Sequence, residues 1–173
     1  RVELEGKPYC AVANVGTRPT VGGHRVTVEP WLLDYSGDLY ATKWKANGHG
    51  VDINRSFDAG WEQTRSPHLP SSKLYKGTKP FDCAEAAALR DYTLAHNFDV
   101  TVSYHAMGCV IYWEYGSKKD VNQVSNSLAQ ALNAVTGYTL NGSAGLDAAG
   151  YKDWAMDVLE IPSVTVEIGC GGY

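Results

Sequence analysis

The segment at residues 163–169, SVTVEIG, constrains the fold of this chain more than any other stretch of the sequence. It follows Pro162 and is an almost continuous run of apolar and β-branched residues rather than an alternation of apolar and polar ones. Runs of this kind are typical of strands that are covered on both faces, as in the sheets of α/β proteins. We therefore expect an interior strand here.

A long amphipathic helix is predicted in the second half of the chain. Asp120 is placed to cap its start, and Gly137 is placed to end it. Between them, apolar residues recur at steps of three and four, which is the spacing of one helix face. These residues are Val121, Val124, Leu128, Leu132 and Val135.

Further helices and strands complete an α/β pattern. Asp82 and Glu85 resemble a capping box, and the Ala-rich residues 84–96 that follow predict a helix. A shorter helix is predicted within residues 148–156. Two more strands are predicted, at residues 98–104 and 109–115.

The N-terminal part of the chain has a different sequence pattern. Residues 7–45 consist of short β-rich runs separated by turn residues, which predicts an antiparallel β-meander. Gly22-Gly23 and Ser36-Gly37-Asp38 are the expected turns. Pro30 has no N–H to donate to a ladder, so its strand should lie at an edge or be bulged. We therefore divide the chain into residues 1–42 and 43–173, which together should form one compact unit.

Composition excludes several classes of function. The chain has 173 residues and a net charge of −4 without a long run of one sign, so no basic stripe indicates nucleic-acid binding. No apolar window is long enough to cross a membrane, and the N-terminus lacks the layout of a signal peptide. We expect a soluble chain of unassigned compartment, and a start at Arg1 suggests a processed or engineered terminus.

The cysteines are widely spaced, and no CxxC pair occurs among them. They therefore indicate neither a zinc knuckle nor a dense disulfide framework. We predict four buried free thiols, a pattern that favours a reducing compartment. The residues are Cys10, Cys83, Cys109 and Cys170.

Two polar residues lie where buried strands are predicted. Glu167 is inside the apolar run, where a carboxylate is costly unless it is paired, bound to metal or at an exposed strand end. His105 lies near the end of the strand that starts at residue 98 and is followed by Ala106, Met107 and Gly108, which suit a turn that leaves space for a ligand. Taken alone, Glu167 could form a structural salt bridge, and His105 could be a structural polar residue.

A third candidate is the segment GVDINRSF, residues 50–57. Arg55 offers a planar fork suited to a carboxylate, and the Asn54 amide next to it could add a donor. The alternative is an ordinary strand end with a solvated arginine.

Taken together, these segments resemble the zinc metallocarboxypeptidase family, in order and approximate spacing, over residues 43–173. The resemblance is closest to the bacterial branch that trims cell-wall or similar peptides, and it implies a mixed sheet flanked by helices. The matching motifs are WKANGHGVDINRSFDAGW, YKGTKPFDCAEAAAL, SYHAMGCVIYW, YTLNGSAG with YKDWA, and SVTVEIG.

The resemblance implies a role for each matching residue. His105 matches the third zinc ligand of the family. Asn54 and Arg55 match the pair that binds the terminal carboxylate of the peptide substrate and helps to polarise the scissile carbonyl. Glu167 matches the general base that acts on zinc-bound water, and Tyr138 matches the mobile tyrosine that closes over the substrate.

The sequence also departs from the family. The family takes its first two zinc ligands from an upstream HxxE segment, and this sequence contains no HxxE. Catalytic zinc needs three protein ligands, so we expect no tight zinc binding and no activity, although a site improvised from His24 or His49 is an alternative. Ser56, where the family often has Asn, and Cys83 are further departures.

Residues 1–42 resemble part of the riboflavin kinase domain of bacterial riboflavin kinase/FAD synthetases. The matching stretches are PYCAVANVGTRPTVGG and RVTVEPWLLDYSGDLYA. The resemblance implies that Glu29 is the position of the base that activates the riboflavin hydroxyl. The segment that helps that family to bind magnesium nucleotide has no match here.

Two unrelated fragments that meet near residues 42–44 indicate a chimera, either engineered or recombined. Each part lacks strands that its family would place beside it, and exposed sheet edges favour pairing between chains. We therefore expect a homo-oligomer, with segment exchange as one form. The functional alternatives are a zinc carboxypeptidase-like hydrolase or its relic, a folded chimera without catalysis, and flavin or nucleotide binding through residues 1–42.

Overall fold

The structure is a computed structural model that describes residues 45–142 and 149–170 in full and, for the backbone only, several short N-terminal strands. These strands are β1 (Val2–Leu4), β2 (Lys7–Tyr9), β3 (Thr20–Val21), β4 (His24–Arg25) and β5 (Thr27–Val28). β1 pairs antiparallel with β2 and with β5, and β3 pairs antiparallel with β4. The pairs β1–β2 and β3–β4 join consecutive strands, as a meander does, whereas β1 and β5 are not consecutive and their pairing departs from a simple meander. The predicted turns, Pro30 and Glu29 lie outside the described residues.

A four-stranded mixed sheet forms the centre of the described α/β part. Its strands are β6 (Thr101–Ala106), β7 (Val110–Tyr112), β8 (Thr139–Asn141) and β9 (Ser163–Ile168), and their spatial order is β6-β9-β7-β8. β6 is parallel to β9, β7 is antiparallel to β9, and β7 is parallel to β8. The interior position of β9 confirms the expectation from its apolar run, and the mixed sheet agrees with the fold that the family resemblance implies. β6 begins three residues later than predicted.

The helices are α1 (Ala84–Leu94), α2 (Lys119–Thr136) and α3 (Tyr151–Asp157). α2 ends as predicted, at Gly137, whose φ of 70° is the left-handed conformation that glycine adopts without steric cost. Its start differs from the prediction, because Lys118 is the N-cap and Asp120 lies in the first turn.

The capping box predicted at the start of α1 is wrong. The N-cap is Cys83, and it makes no side-chain capping bond. The Asp82 carboxylate instead accepts hydrogen bonds from the backbone N–H and the hydroxyl of Thr78, at 2.9 and 3.1 Å. Both carboxylate bonds therefore stabilise the loop before the helix rather than the helix terminus.

Two apolar clusters hold these layers together. One lies between α2 and the sheet and contains Ile111, Ala129, Val164 and Val166. The other joins the segment 50–59 to α1 and α3, and its aromatic centre packs Phe57 edge-on against Phe81 and Tyr151, with ring centroids 5.6 Å apart in both pairs. Trp154 of α3 completes this second cluster. α3 also packs against β6 and β9, so it connects the second cluster to the sheet.

The prediction of four free thiols is wrong for two cysteines. Cys109 and Cys170 form a disulfide, with Cα atoms 5.0 Å apart. The pairing of β6 with β9 brings the segments after these two strands together although the cysteines are 61 residues apart in sequence. Cys83 is free and buried, as predicted, and Cys10 lies outside the described residues. In the described part of the chain, no helix has the length and apolar character needed to span a membrane.

Candidate functional site

His105 and Glu167 lie next to each other at one end of the sheet. They are register partners in the parallel pair of β6 and β9, one residue before the last pair of the ladder. Side chains of register partners project from the same face, and neighbouring strands are about 4.8 Å apart. The register therefore places the imidazole and the carboxylate side by side, a relationship that sequence spacing alone did not give.

Among the described residues, no side-chain hydrogen bond or ion pair is formed by His105 or by Glu167. Both residues are half-buried, and the ion pairs found in residues 45–142 and 149–170 involve other side chains. The structural salt bridge considered for Glu167 is therefore not formed within this part of the chain. A half-buried carboxylate and imidazole without internal partners are available to a ligand.

Asn54 and Arg55 lie in a short 3₁₀ turn, Ile53–Arg55, that is organised by Asp52. The Asp52 side chain is buried and accepts hydrogen bonds from the backbone N–H groups of Asn54, at 3.2 Å, and of Leu74, at 2.9 Å. The Arg55 guanidinium is half-buried and donates to the Asn54 carbonyl oxygen at 2.7 Å. Asp52 is a positioning residue that our sequence reasoning did not single out, and its signal is an N-cap aspartate two residues before Asn54.

The 3₁₀ turn is fixed to the start of α3. The Phe57 N–H donates to the Ala149 carbonyl oxygen at 3.0 Å. The Asn54 side chain lies so close to Gly150 that a β-carbon there would be 2.8 Å from Asn54 Oδ1. Because α3 also packs against β6 and β9, one helix supports both the turn and the strands of His105 and Glu167.

Tyr138 follows the C-terminal glycine of α2 and is half-buried against the sheet core. Its hydroxyl accepts a hydrogen bond from the Gly169 N–H at 3.5 Å, and its carbonyl oxygen accepts one from the Asn133 amide at 2.7 Å. The phenol therefore reaches the segment just after Glu167. Closure of Tyr138 over a substrate stays a prediction.

The two departures from the family pattern, Ser56 and Cys83, are in contact. Both are buried, and the Cys83 thiol lies within hydrogen-bonding reach of the Ser56 side chain. Burial raises the pKa of the Cys83 thiol, and the negative charge of Glu85 acts in the same direction. The Ser56 hydroxyl also donates to the Asp52 carbonyl oxygen at 3.0 Å. Ser56 thus links Cys83 to the turn of Asn54 and Arg55, and burial disfavours the thiolate form of Cys83.

The described residues do not supply the ligands for a catalytic zinc ion. No three His, Cys, Asp or Glu side chains in that part of the chain are grouped closely enough to hold a metal. His49 is in an exposed turn, and for His24 only the backbone is described. Catalytic zinc sites use three protein ligands, so His105 with Glu167 does not fit that requirement.

The sequence matches two family patterns. The pattern described as zinc carboxypeptidase matches residues 30–173, and the pattern described as riboflavin kinase matches residues 1–50. Gamma-D-glutamyl-L-diamino acid endopeptidase 1 of Lysinibacillus sphaericus is 38% identical over 130 residues, which are 74% of this chain and 32% of that protein.

Solved structures agree with the fold. Thrombin activatable fibrinolysis inhibitor superposes with a TM-score of 0.55 at 25% identity, covering 68% of this chain and 33% of that one. Murein-tripeptide amidase MpaA from Escherichia coli O157 superposes with a TM-score of 0.54 at 22% identity, covering 73% and 53%.

The match to the zinc carboxypeptidase pattern extends over most of the sequence, from residue 30 to residue 173. The chain spans about a third of the length of the curated relatives that it resembles. The mixed sheet and the solved structures support the same relationship. This chain belongs to the zinc carboxypeptidase family.

Proposed function

We propose that this chain carries the carboxylate-binding and general-base part of a peptidase site and recognises the C-terminal carboxylate of peptides. Arg55 and Asn54 would bind that carboxylate, Glu167 would accept a proton from the attacking water, and Tyr138 would cover the ligand. His105 occupies the position of a metal ligand. The observation that carries the proposal is the register pairing of His105 with Glu167 on neighbouring strands.

The chemistry of these residues suits a peptide terminus. A guanidinium group binds a carboxylate through two parallel N–H···O bonds, which gives both affinity and orientation. The buried Asp52 fixes the turn that presents this group, so less conformational freedom is lost when a ligand binds. The Glu167 carboxylate lacks an internal ion pair in the described part of the chain and is open to a water molecule or a peptide.

The substrate class that we propose is a cell-wall type peptide. This proposal is supported by the similarity to a relative named for a γ-D-glutamyl-L-diamino acid bond. Because the chain spans only about a third of that relative, the similarity bears on the class of peptide and not on turnover.

Hydrolysis by this chain alone is not expected, because the sequence has no HxxE segment and the described residues group no three metal ligands. The test is elemental analysis of the full chain after dialysis against zinc, together with a peptidase assay on peptides with a free C-terminus. We expect less than one zinc per chain and no turnover. Stoichiometric zinc, with activity that Glu167→Gln abolishes, would overturn the proposed inactivity.

The alternative is a chimera, engineered or recombined, in which the same residues are inherited scaffold. It is favoured by the two family patterns, which overlap over residues 30–50. This alternative predicts that peptide binding is absent or does not depend on Arg55, whereas our proposal predicts dependence on Arg55.

A third candidate is flavin or nucleotide binding through residues 1–42, with Glu29 at the base position. It is supported only by the riboflavin kinase match. Titration of riboflavin with the full chain tests it, since quenching of flavin fluorescence that saturates near one equivalent would support this function. Unchanged flavin fluorescence would exclude this function.

We also propose that the chain forms a homo-oligomer, with exchange of segments between chains as one form. In the described part of the chain β6 is an outer strand of the sheet, and it exposes 36% of Val102 and 68% of Tyr104. Outer strands without charged residues favour pairing between chains. Sedimentation analysis should show a mass above that of one chain, and a monomer at all concentrations would contradict it.

A further inference from the structure

The segments that leave β6 and β9 stay joined after the ladder between these strands ends. The last register pair is Ala106 with Ile168. Beyond it, the Gly108 N–H donates to the Gly169 carbonyl oxygen at 2.9 Å. The disulfide between the residues that follow, Cys109 and Cys170, is the next link. Two successive links, one of them covalent, therefore extend the contact between the two chain segments past the end of the β6–β9 ladder.

These links lie next to the candidate site. Cys109 is four residues after His105, and Cys170 is three residues after Glu167. A β-carbon on Gly108 would be 3.7 Å from the β-carbon of Glu167, so the loop after His105 runs alongside the Glu167 side chain. This loop therefore forms part of the surroundings of the Glu167 carboxylate.

Tyr138 is tied to the same linked segments. Its hydroxyl accepts a hydrogen bond from the Gly169 N–H at 3.5 Å. The N–H of the next residue, Thr139, donates to the Cys109 carbonyl oxygen at 2.9 Å. Three residues of the candidate site, His105, Glu167 and Tyr138, therefore depend on chain segments that this disulfide connects.

We propose that the Cys109–Cys170 disulfide is a positioning link of the candidate site, which holds the loop at residues 107–109 against the segment that leaves β9. The ladder sets the two backbones side by side, and in the oxidised chain the loop held by the disulfide restricts the orientation of the Glu167 side chain relative to His105. Reduction leaves the ladder and the core intact but lets the loop move away from Glu167. The structural role of the disulfide does not depend on the proposed function, but its relevance to peptide binding does.

The local backbone supports a role for the covalent bond. Cys109 has a φ of 51°, in the left-handed region that residues other than glycine adopt at an energetic cost. Such conformations persist where the surrounding structure holds them. Without the disulfide, the loop is still held by the Gly108 hydrogen bond to Gly169 and, at its end, by the pairing of Val110 with Glu167, and Cys109 between these two links is freer to relax.

The bond is accessible to reductants. Cys170 is exposed and Cys109 is half-buried, whereas the free thiol of Cys83 is buried. Dithiothreitol supplies two electrons and two protons, so that the disulfide becomes two thiols and the reagent becomes its cyclic disulfide. An intact link implies that the chain works where disulfides persist, in contrast to the reducing compartment expected from the cysteine spacing.

The test follows the His105 ring by NMR in the full chain labelled with ¹³C-histidine, with His105→Gln used to assign its signal. We expect Glu167→Gln to shift the His105 ring signal in the oxidised chain. Dithiothreitol at the same pH should decrease that shift at least twofold. The double variant Cys109→Ser/Cys170→Ser should show the smaller shift from the start and should not respond further to the reagent, which controls for the other cysteines.

Three results would overturn the proposal. The first is an equal response of His105 to Glu167→Gln before and after reduction, with reduction verified by mass spectrometry. The second is the absence of a peptide cross-linked through Cys109 and Cys170 in a non-reducing digest. The third is global unfolding on reduction, with all histidine signals at unfolded positions, which would make the bond a general stabiliser. Because the assay uses neither metal nor peptide, its failure is distinct from failure of the proposed function.

Discussion

The Asn54 side chain lies against the backbone of Gly150, so that a β-carbon at position 150 would be 2.8 Å from Asn54 Oδ1 and 3.1 Å from Asp153 Oδ2. This contact joins the turn of Asn54 and Arg55 to Gly150, the N-cap residue of α3. It requires glycine because of space and not because of backbone conformation, since the φ of Gly150 is −85°.

We predict that Gly150→Ala destabilises the chain by about 1–3 kcal/mol, the usual cost of overpacking, and displaces the Asn54 amide. Urea unfolding followed by circular dichroism measures the free energy of unfolding. Gly48→Ala is the matched control, because a β-carbon there would meet no atom within 4 Å. Equal stability of the two variants would show that the Asn54–Gly150 contact is not tight.

Asp52 offers a second prediction, because its buried carboxylate accepts from two backbone N–H groups, those of Asn54 and Leu74. Asp52→Ala leaves both donors without their partner, which should cost about 1–3 kcal/mol for each donor that stays buried. Asp58→Ala, at an exposed position in the same segment, should change the free energy of unfolding by less than about 0.5 kcal/mol. A similar small effect of Asp52→Ala would contradict its positioning role.

We predict that the free energy of unfolding depends on pH through the phenol group of Tyr115. Burial, together with the charges of Asp153 and Asp157, raises the pKa of Tyr115 from 10.0 to about 12. The unfolded state loses the phenol proton first, so stability is fully retained below pH 10 and falls as the pH rises from 10 to 12. The loss should be smaller in Tyr115→Phe, measured as urea midpoints across this range. Identical pH dependence of the two proteins would show that Tyr115 titrates normally.

Several elements could be predicted from the sequence because their signals are local. The apolar run of β9 and the periodic face of α2 depend on side-chain spacing, and Gly137 ends α2 through its left-handed conformation. The motif resemblance also identified four candidate site residues, namely His105, Glu167, Asn54 and Arg55. These signals need no knowledge of how distant segments pack.

The parts that could not be predicted depend on distant contacts. Cys109 and Cys170 are brought together only by the register of β6 with β9, so spacing in the sequence gave no sign of a disulfide. Asp82 was misjudged as a capping residue because its carboxylate binds Thr78 in the preceding loop. The support of Asn54 by Gly150 joins residues that are almost a hundred positions apart.

Arg55 gives the most specific prediction about ligand recognition. Arg55→Lys retains the positive charge but loses the planar fork, so affinity for a peptide carboxylate should decrease, and it should decrease further in Arg55→Ala. Arg65→Ala is the matched control, since Arg65 is exposed and lies outside the turn. Calorimetric titration with a peptide that has a free C-terminus measures the effect. Equal losses for Arg55→Ala and Arg65→Ala would indicate a non-specific charge effect.

The most direct test of the central claim compares the binding of two peptides of identical sequence, one with a free C-terminal carboxylate and one with a C-terminal amide. We predict that the full chain binds the carboxylate form at least tenfold more tightly, which is about 1.4 kcal/mol, and that Arg55→Ala removes this preference. Equal affinity for the two peptides, or a preference that survives Arg55→Ala, would contradict a carboxylate-binding site at Asn54 and Arg55.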